Sequence, residues 1–439
     1  MSISQIPAYN LKVVLKETAI AADTLRAWER RYGLPMPQRT PGGHRLYSAR
    51  DIQTIKWLMA RQAEGLSISR AVDLWREIEA ESRDPLGGFI VGEPAPGLVA
   101  PSAGASLPSL RDRWLRACKS FNEAAAEEVI SQALSYYSVE SVVIEVLQQG
   151  LRELGEYWYR GEITVQQEHF ASALAARRID ALIAATPQPT RPQLVLTACP
   201  PEEWHTFSLL VLSLLIRRRG FHVVYLGANV PDDQLYETIR DIRPDMVLLA
   251  TQHLTGAAAL RSTASGLAEK GVQVAYGGRV FNITPALQER IPAHFLGQSL
   301  EASLDSIERL VSFPQPVPSV IEASVRVSRT AASYRENRAL IEASLMDDFK
   351  ARHLPLTYLE ISNRFFGDGI LAALDLGDLA FMEPEMFWLK ALLIQKDVAP
   401  DLLEPYLGAY AAVMRRLTTA DLSLITDWIE TYLRNPLSN

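Results

Sequence analysis

Residues 186–312 alternate five short apolar runs with helical patterns, and this alternation constrains the fold more than any other feature of the chain. The apolar runs begin near Gln193, His222, Asp245, Gly271 and Ala293. The helical patterns cover 207–219, 232–242, 256–270 and 300–310, with a weaker one around 286–290. Short strands that alternate with helices at this spacing predict a doubly wound parallel sheet, a Rossmann-like α/β fold. Ligands bind such sheets beyond the carboxyl ends of the strands.

Polar and small residues follow several of these predicted strands. Glu203 and His205 follow the first one, and His205 falls where the loop passes into the next helix. A neutral imidazole there can bind a metal while Glu203 hydrogen-bonds its far nitrogen. A solvent-facing histidine at a helix start is the alternative. Thr251 and Gly277-Gly278 follow later strands, where small residues leave room for a large ligand or simply form turns. No phosphate-binding loop motif is present, so a nucleotide role lacks support.

Length, hydropathy and cysteine content restrict the class of protein. A chain of 439 residues is too long for one ordinary core and predicts two to four domains. No uncharged apolar run of about eighteen residues occurs, and the first residues lack the pattern of a signal peptide, so we expect no membrane association. The two cysteines, Cys118 and Cys199, are far apart, which excludes a disulfide framework and predicts a cytoplasmic location.

The first 80 residues are basic, although the whole chain has a net charge of −7. They hold twelve Lys and Arg against eight Asp and Glu, a balance of +4. A helix is predicted from Thr24 to Tyr32 after a shorter one that begins at Leu11, and Gly42-Gly43 predicts the turn of a hairpin. A helix-turn-helix followed by a basic hairpin is typical of winged DNA-binding domains. A helical protein-interaction module with solvated arginines is the alternative.

This head carries three motifs that resemble the MerR family of regulators. They are Tyr9-x-x-Lys12, Thr24-Leu25-Arg26-x-Trp28-Glu29-Arg30-Arg31-Tyr32-Gly33-Leu34 and Arg39-x-x-Gly42-Gly43-His44-Arg45-Leu46-Tyr47-x-x-x-Asp51-Ile52. The resemblance implies an all-α winged helix-turn-helix domain over residues 1–80 that binds a double-stranded DNA operator as a homodimer or homotetramer. The residues expected to serve DNA binding are Lys12, Thr24, Arg26, Trp28, Arg30, Arg31, Arg39, Gly43, His44, Arg45 and Tyr47.

A flexible linker rich in Pro, Gly and Ala is predicted over residues 81–108, and a helical region over 109–185. Apolar residues recur every three or four positions in 110–119, 123–135, 139–159 and 165–184, which predicts an antiparallel four-helix bundle. Trp158 and the pair Glu168-His169 flank one corner between two of these helices. They could present an indole, a carboxylate and an imidazole to a neighbouring domain. Alternatively, Trp158 belongs to the core and the pair to an exposed helix start.

The bundle and the α/β region together resemble the cobalamin-binding module, over residues 109–312. The stretch Glu203-x-His205-x-x-Ser208 is similar to that family's D/E-x-H-x-x-G, with Ser208 in place of the final glycine. Thr251 stands near the family's serine-containing third loop, and the later glycine pair matches its final loop. The resemblance implies that His205 binds cobalt in place of dimethylbenzimidazole, with the nucleotide tail entering the α/β core of residues 186–312.

The spacing Trp158-x9-Glu168-His169 resembles the motif of the CarH/LitR light-dependent repressors. In that family the tryptophan shields the adenosyl group above the cobalt, and the histidine can take the upper face once that group has left. The resemblance implies adenosylcobalamin as the cofactor and a light-responsive transcriptional repressor, not an enzyme. A regulator that senses cobalamin without light and a corrinoid methyl-transfer protein are the alternatives.

Residues 313–439 begin with a Pro-rich boundary and predict a further, mostly helical domain with a core of its own. Breaks are expected at Gly367-Asp368-Gly369 and at Gly377. One interpretation is a helical oligomerisation or regulatory domain. The other is a second chromophore site that binds biliverdin or haem noncovalently near His353, the only histidine of this tail. The helical patterns cover 321–344, 347–352, 356–366, 367–376, 384–395, 401–417 and 420–433.

Overall fold

A computed structural model describes residues 7–18, 20, 22–39, 45–63, 68–80, 84–86, 106–352, 356, 359–387, 389, 402–417 and 422–434. The chain forms two compact units, residues 1–103 and 104–439. The first holds a small antiparallel sheet with helices, and the second a five-stranded parallel sheet with many helices, which confirms the multidomain fold class. No helix in this described part of the chain has the length and hydropathy that a membrane span requires.

The first unit is a small helical domain with a sheet at one side. Its second helix, α2 (Ala22–Tyr32), ends where predicted, because Gly33 adopts a left-handed φ of 71° and donates its N–H to the Glu29 carbonyl at 3.1 Å. Leu25, Trp57 and Trp75 lie in its core, where the two indoles meet edge to face. Its elements are β1 (Pro7–Asn10), α1 (Leu11–Thr18), α2 (Ala22–Tyr32), β2 (Gln38–Arg39), β3 (Arg45–Ser48), α3 (Ala49–Ala63) and α4 (Ile68–Ala80).

The predicted hairpin is confirmed by the antiparallel pairing of β2 with β3, in which Arg39 lies opposite Arg45. Its turn, residues 40–44, lies outside the described residues. Strand β1 pairs with the other side of β3 and gives the order β1-β3-β2, a third strand that the sequence analysis missed. Ser48 caps α3, since its hydroxyl donates to the Asp51 carboxylate and accepts the Asp51 N–H.

The second unit begins with the helical bundle. Its bounds agree closely with the predicted patterns, and Asn122 and Thr164 cap two of the helices through their side chains. The long third pattern is one continuous helical run, but its middle is π-helical, which the periodicity did not predict. The elements are α5 (Leu107–Lys119), α6 (Glu123–Tyr136), α7 (Val139–Val142), a π-helix (Val143–Gln148), α8 (Gln149–Tyr159) and α9 (Val165–Ala184).

The parallel sheet follows, with strand order β5-β4-β6-β7-β8. Because the chain passes from β5 to β6 across β4, the order reverses between β4 and β6, and the loops after those two strands meet at one edge. The strands are β4 (Leu194–Ala198), β5 (His222–Gly227), β6 (Met246–Ala250), β7 (Val274–Gly277) and β8 (His294–Phe295). The helices are α10 (Phe207–Arg218), α11 (Asp232–Ile242), α12 (Leu254–Ala268), α13 (Arg279–Ile283) and α14 (Leu300–Ser312).

The tail is helical, as predicted, but the break expected at Gly367-Asp368-Gly369 is wrong. Helix α16 (Leu359–Asp375) runs through it, and both glycines allow close packing: a Cβ on Gly367 would lie 2.7 Å from the Arg338 guanidinium, and one on Gly369 would lie 2.8 Å from the Met382 sulfur. Gly377, with φ of 95°, does follow the end of the helix. The elements are α15 (Val325–Ala351), α16 (Leu359–Asp375), a 3-10 helix (Leu379–Met382) continued by helical residues 383–387, α17 (Leu403–Leu417) and α18 (Ser423–Arg434).

The sheet of the second unit separates two hydrophobic cores. One continuous cluster joins the bundle to α10, α14 and one face of the sheet, to which Leu248 belongs. The other joins the opposite face, to which Leu249 belongs, with α12 and the helices of the tail. The tail therefore differs from the expectation of a separate core, because its apolar side chains merge with those of the α/β region.

Candidate functional site

His205 lies in the loop between β4 and α10, where β4 and β6 end. Its Nδ1 is 2.8 Å from the Glu203 Oε1, which also accepts the His205 backbone N–H at 2.8 Å. In the neutral ring this contact assigns the proton to Nδ1, which leaves the lone pair on Nε2. The His205 side chain is 62% exposed, whereas Glu203 is only 2% exposed. The imidazole is thus held from behind and presented outward.

Glu203 is the fixed centre of this arrangement. Its Oε2 accepts the Thr251 hydroxyl at 2.7 Å and the Gln252 N–H at 2.6 Å. Burial would raise the pKa of this carboxyl, but the hydrogen bonds from His205, Gln252 and Thr251 outweigh it and lower the pKa to about 2. The hydrogen bond to Glu203 in turn raises the pKa of the His205 imidazole. A permanent carboxylate therefore fixes the ring and strengthens it as a ligand.

The loop after β6 supplies a second set of contacts to this pair. The sequence analysis assigned Thr251 to the site but missed Gln252 and His253, which follow it directly. The His253 ring lies edge-on to His205 with the centroids 4.8 Å apart, and burial lowers the pKa of His253, so that this ring is neutral near pH 7. The signal for both residues was present, since polar residues that follow a buried strand lie at the binding edge of such sheets.

Asn229, in the loop after β5, was also missed. Its side-chain oxygen accepts the Glu202 N–H at 2.8 Å, and its own N–H donates to the Glu203 carbonyl at 2.9 Å. Both Asn229 and Glu202 adopt positive φ, near 50° and 65°, a region in which asparagine is several-fold enriched. Three loops therefore converge on the backbone and side chain of Glu203.

The final loop contributes the glycine pair. Gly278 has φ of 135°, and a Cβ placed there would lie 1.7 Å from the Thr251 carbonyl oxygen, so this glycine packs directly on the loop after β6. A Cβ on Gly277 would have no atom within 4 Å, which leaves open space beside it. Ser208, the last residue of the Glu203-x-His205-x-x-Ser208 stretch, is half-buried in the first turn of α10.

The bundle presents the other predicted residues. Trp158, near the end of α8, is half-buried. In the first turn of α9, His169 is 70% exposed and its Nδ1 is 3.4 Å from the Glu168 Oε2. Through-space charge from Glu168 adds to the hydrogen bond with Glu203 in raising the pKa of His205. The carboxyl group of this bundle corner therefore lies within electrostatic reach of the imidazole at the sheet edge.

These residues fit cobalt and the cofactor that carries it. Among the described residues nothing hydrogen-bonds the His205 Nε2, and a neutral imidazole backed by a carboxylate is a common metal ligand. The open space at Gly277 and the small side chains of Thr251 and Ser208 suit close approach of a bulky group to the backbone.

Some of the predicted DNA-binding residues of the first unit are exposed, and others are buried. Lys12 on α1 is exposed, and so are Thr24, Arg26, Arg30 and Arg31 on α2, which gives one cationic helix face. Basic groups on one face provide the sequence-independent affinity for phosphates.

Two of the expected contacts are corrected by their burial. Trp28 is 5% exposed and Tyr47 is fully buried, so both support the domain instead of facing DNA. The Tyr47 hydroxyl donates to Glu29 at 2.5 Å, and Arg45 donates to the same carboxylate at 2.7 Å. Burial raises the pKa of Tyr47 further above its ordinary value, as does that hydrogen bond. Glu29 thereby ties the wing strand to the helix that carries the arginines.

Several predicted positions lie outside the described residues. These are Gly43 and His44 in the hairpin turn, the side chain of Arg39, and His353. The expectation of biliverdin or haem near His353 therefore stays a prediction.

Comparison with known families assigns three parts of the chain. Residues 9–78 match the MerR HTH family regulatory proteins. Residues 110–183 and residues 193–302 match two families described as the B12 binding domain. The chain is therefore a DNA-binding, cobalamin-binding protein of transcription regulation.

Three curated relatives are similar to this chain over different lengths. The HTH-type transcriptional repressor CarH of Myxococcus xanthus is 31% identical over 289 residues, 65% of this chain and 94% of CarH. CarA of the same organism, also a repressor, is 32% identical over 244 residues, 55% of this chain and 75% of CarA. The regulator MlrA of Escherichia coli (strain K12) is 47% identical over 58 residues, 12% of this chain and 24% of MlrA. The chain belongs to the CarH and CarA family of MerR-type, cobalamin-binding transcriptional regulators.

Proposed function

We propose that this protein is a light-responsive repressor that uses adenosylcobalamin, with His205 as the lower ligand of cobalt. The observation that carries the proposal is the pairing of two sites in one unit. A buried Glu203 presents the His205 imidazole outward, and a bundle corner with Trp158, Glu168 and His169 lies within electrostatic reach of it.

Adenosylcobalamin supplies a cobalt–carbon bond that visible light breaks. The roles of the chain are to hold and to respond. Glu203 would keep His205 oriented and neutral at Nε2, and Trp158 would pack against the adenosyl group. His169 is exposed, and Glu168 is its one ionic contact among the described residues, so its ring could turn toward the upper face when that face opens. Thr251, Gly277, Gly278 and Ser208 would surround the nucleotide tail.

Loss of the adenosyl group would remove the contact that Trp158 makes, and the bundle would then shift. A shift at the bundle would change which oligomer is stable, a homodimer or a homotetramer. Because each copy carries one cationic helix face, the affinity for an operator depends steeply on how many copies are linked. We therefore propose the adenosylcobalamin-bound protein in the dark as the operator-binding form. We also propose the division into a head (1–80), a linker (81–108), a bundle (109–185), an α/β domain (186–312) and a tail (313–439).

The test uses the full chain loaded with adenosylcobalamin in the dark. Its mass is measured by light scattering after size exclusion, and DNA binding by mobility shift with a sequence selected from a random pool, before and after green light. We expect light to reduce both the mass and the DNA affinity. A sample loaded with hydroxocobalamin, which has no carbon ligand to lose, is the control and should not respond to light.

The two alternatives give different results in the same experiment. A cobalamin sensor that does not use light would bind DNA according to cobalamin content, and illumination would change neither mass nor affinity. A corrinoid methyl-transfer protein would turn over methylcobalamin with a partner enzyme. Either result would overturn the proposed light response.

A further inference from the structure

A carboxyl group of the tail contacts the helix that follows the loop after β6. Glu385, in helical residues 383–387, accepts the backbone N–H of Leu254 at 3.3 Å. Leu254 is the first residue of α12 and follows directly on the loop that contains Thr251, Gln252 and His253. Glu385 is half-buried, and burial raises the pKa of its carboxyl, whereas the Leu254 N–H and the charge of Arg279 lower it.

A short series of contacts joins this carboxyl to the axial histidine. Leu254 is two residues from Gln252, whose N–H donates to Glu203 at 2.6 Å. The Glu203 Oε1 in turn accepts a hydrogen bond from the His205 Nδ1 at 2.8 Å. The Gln252 side chain also accepts the Arg279 N–H at 3.2 Å, so the loop is held on both sides. The four-residue segment 251–254 therefore carries both the Glu203 contacts, at Thr251 and Gln252, and the Glu385 contact, at Leu254.

A second anchor fixes the same helix to the tail. Arg261, two turns further along α12, donates to the Asp375 carbonyl at the end of α16 at 3.0 Å and to the Arg290 carbonyl at 3.0 Å. It also pairs with Glu322 at 2.6 Å. Together with the shared hydrophobic core, these contacts make α12 an element that belongs to the site at its first residue and to the tail along its length.

We propose that Glu385 is a positioning residue through which the tail holds the loop that supports Glu203 and His205, so that tail docking and cobalamin binding are coupled. The proposal rests on cobalamin binding at His205 and adds a role for the tail that needs no chromophore. Coupling is reciprocal: if docking favours the bound site, the bound cofactor must stabilise the docked tail by the same free energy.

The first measurement needs no cofactor. Amide hydrogen exchange of the segment around Gln252 and Leu254 is compared in the wild type, Glu385→Ala and Glu385→Gln. We expect several-fold faster exchange in Glu385→Ala, because the Leu254 N–H loses its acceptor, and wild-type exchange in Glu385→Gln, because an amide oxygen still accepts. Glu383→Ala is the matched control, an exposed glutamate on the same helical segment that should have no effect.

The second measurement adds hydroxocobalamin to the same four proteins. The affinity of Glu385→Ala should fall about five-fold, as expected for one ordinary hydrogen bond, while Glu385→Gln and Glu383→Ala stay near the wild type. In the wild type, hydroxocobalamin should slow amide exchange in residues 359–387, and in Glu385→Ala this slowing should be lost.

The outcomes separate the two proposals. Wild-type exchange at Leu254 in Glu385→Ala, or equal hydroxocobalamin affinity in all four proteins, would overturn the positioning role. If the wild type fails to bind hydroxocobalamin, the cobalamin function falls, and the exchange measurement still decides the role of Glu385. Should Glu385→Ala unfold, Arg261→Lys provides the second test, since it weakens the other anchor of α12 and should also reduce the affinity.

Discussion

Two glutamate–histidine pairs lie in the second unit, and they are built differently. Glu203 is buried and holds His205 at 2.8 Å, with Thr251 and Gln252 filling its other oxygen. The pair Glu168-His169 is consecutive on the first turn of α9, its contact is 3.4 Å, and the two side chains are 31% and 70% exposed. The first pair is held by several loops and the second by its own helix.

This difference suits the two roles proposed for His205 and His169. A ligand that must stay on cobalt benefits from a fixed orientation, because a misplaced ring loses metal affinity. A ligand that binds only after another group has left must keep its rotamer freedom until then. The Glu168 carboxylate is shared with the Ser172 hydroxyl at 2.6 Å, so it restrains His169 only loosely. We therefore expect substitutions in the first pair to act in the dark and substitutions in the second pair to act after illumination.

The largest effect is expected from His205→Ala. Removal of the proposed cobalt ligand should lower cobalamin affinity by more than the roughly 10–100-fold typical of residues that only support a ligand. The measurement is a titration followed by visible absorbance, in the dark. His169→Ala is the matched control and should bind within about two-fold of the wild type. Equal losses of cobalamin affinity in the two variants would show that the two histidines do not have the different roles proposed for them.

Glu203→Gln is expected to be next. It removes the charge that orients and strengthens the imidazole, so cobalamin affinity should fall about 10–100-fold. Glu168→Gln, the matched change in the open pair, should leave dark affinity unchanged and alter only the spectrum after illumination. Retention of wild-type affinity in Glu203→Gln would mean that burial of this carboxylate serves folding alone.

The glycine pair sharpens the distinction between support and ligand contact. Gly278→Ala should destabilise the protein without cofactor by about 1–3 kcal/mol, because its φ of 135° is essentially restricted to glycine and the new Cβ would meet the Thr251 carbonyl. Gly277→Ala has open space and should leave that stability unchanged while it lowers cobalamin affinity. Urea unfolding and the same titration measure the two quantities. A stable Gly278→Ala variant would contradict the packing of the loop after β7 on the loop after β6.

The smallest effect concerns the contact between the bundle and the α/β region. Arg218 on α10 donates to Glu140 on α7 at 2.7 Å. Burial raises the pKa of Glu140, but the hydrogen bonds to this carboxylate and the charge of Arg218 together outweigh it, so its folded-state pKa lies below the ordinary value of 4.5. The stabilisation is therefore present above pH 4.5 and lost as the pH falls through the lowered pKa.

Both side chains of this pair are about one-third or more exposed, so we expect less than about 1 kcal/mol at neutral pH. A double-mutant cycle with Arg218→Ala and Glu140→Gln, followed by urea unfolding, measures this coupling at pH 7 and pH 3. The coupling should be present at pH 7 and smaller at pH 3. A coupling that grows on acidification would contradict the assigned sign.

Much of this architecture could be predicted because it is encoded locally. The bundle helices and the five strands follow the spacing of apolar residues, and Asn122, Thr164 and Ser48 act at the helix starts through neighbours three residues away. The Glu203–His205 pair could also be predicted, because the two residues are only two positions apart in the sequence. These features depend on residues that are close in the chain, which a pattern can report.

The rest depended on which distant segments meet. Glu203 contacts Thr251 because β4 and β6 are neighbours in the sheet, and no local pattern indicates that choice. Glu385 reaches Leu254 across 131 positions, and its own surroundings gave no signal. The glycines of α16 were expected to break a helix, since a sequence shows glycine's flexibility but not the side chain of Arg338 that fills the space.

The sequence by itself determined most of the elements, the family and the two Glu–His pairs, because periodicity and short motifs act within a few residues. Only the tertiary structure decided that the Glu203 carboxylate is buried and the Glu168 carboxylate partly exposed. It also decided that Trp28 and Tyr47 are buried and that the tail shares the core of the sheet. Burial and hydrogen-bond closure are properties of surfaces brought together from far along the chain. The free energies of burial and hydrogen bonding depend on which segments become neighbours in the folded unit. The local order of residues does not specify those neighbours.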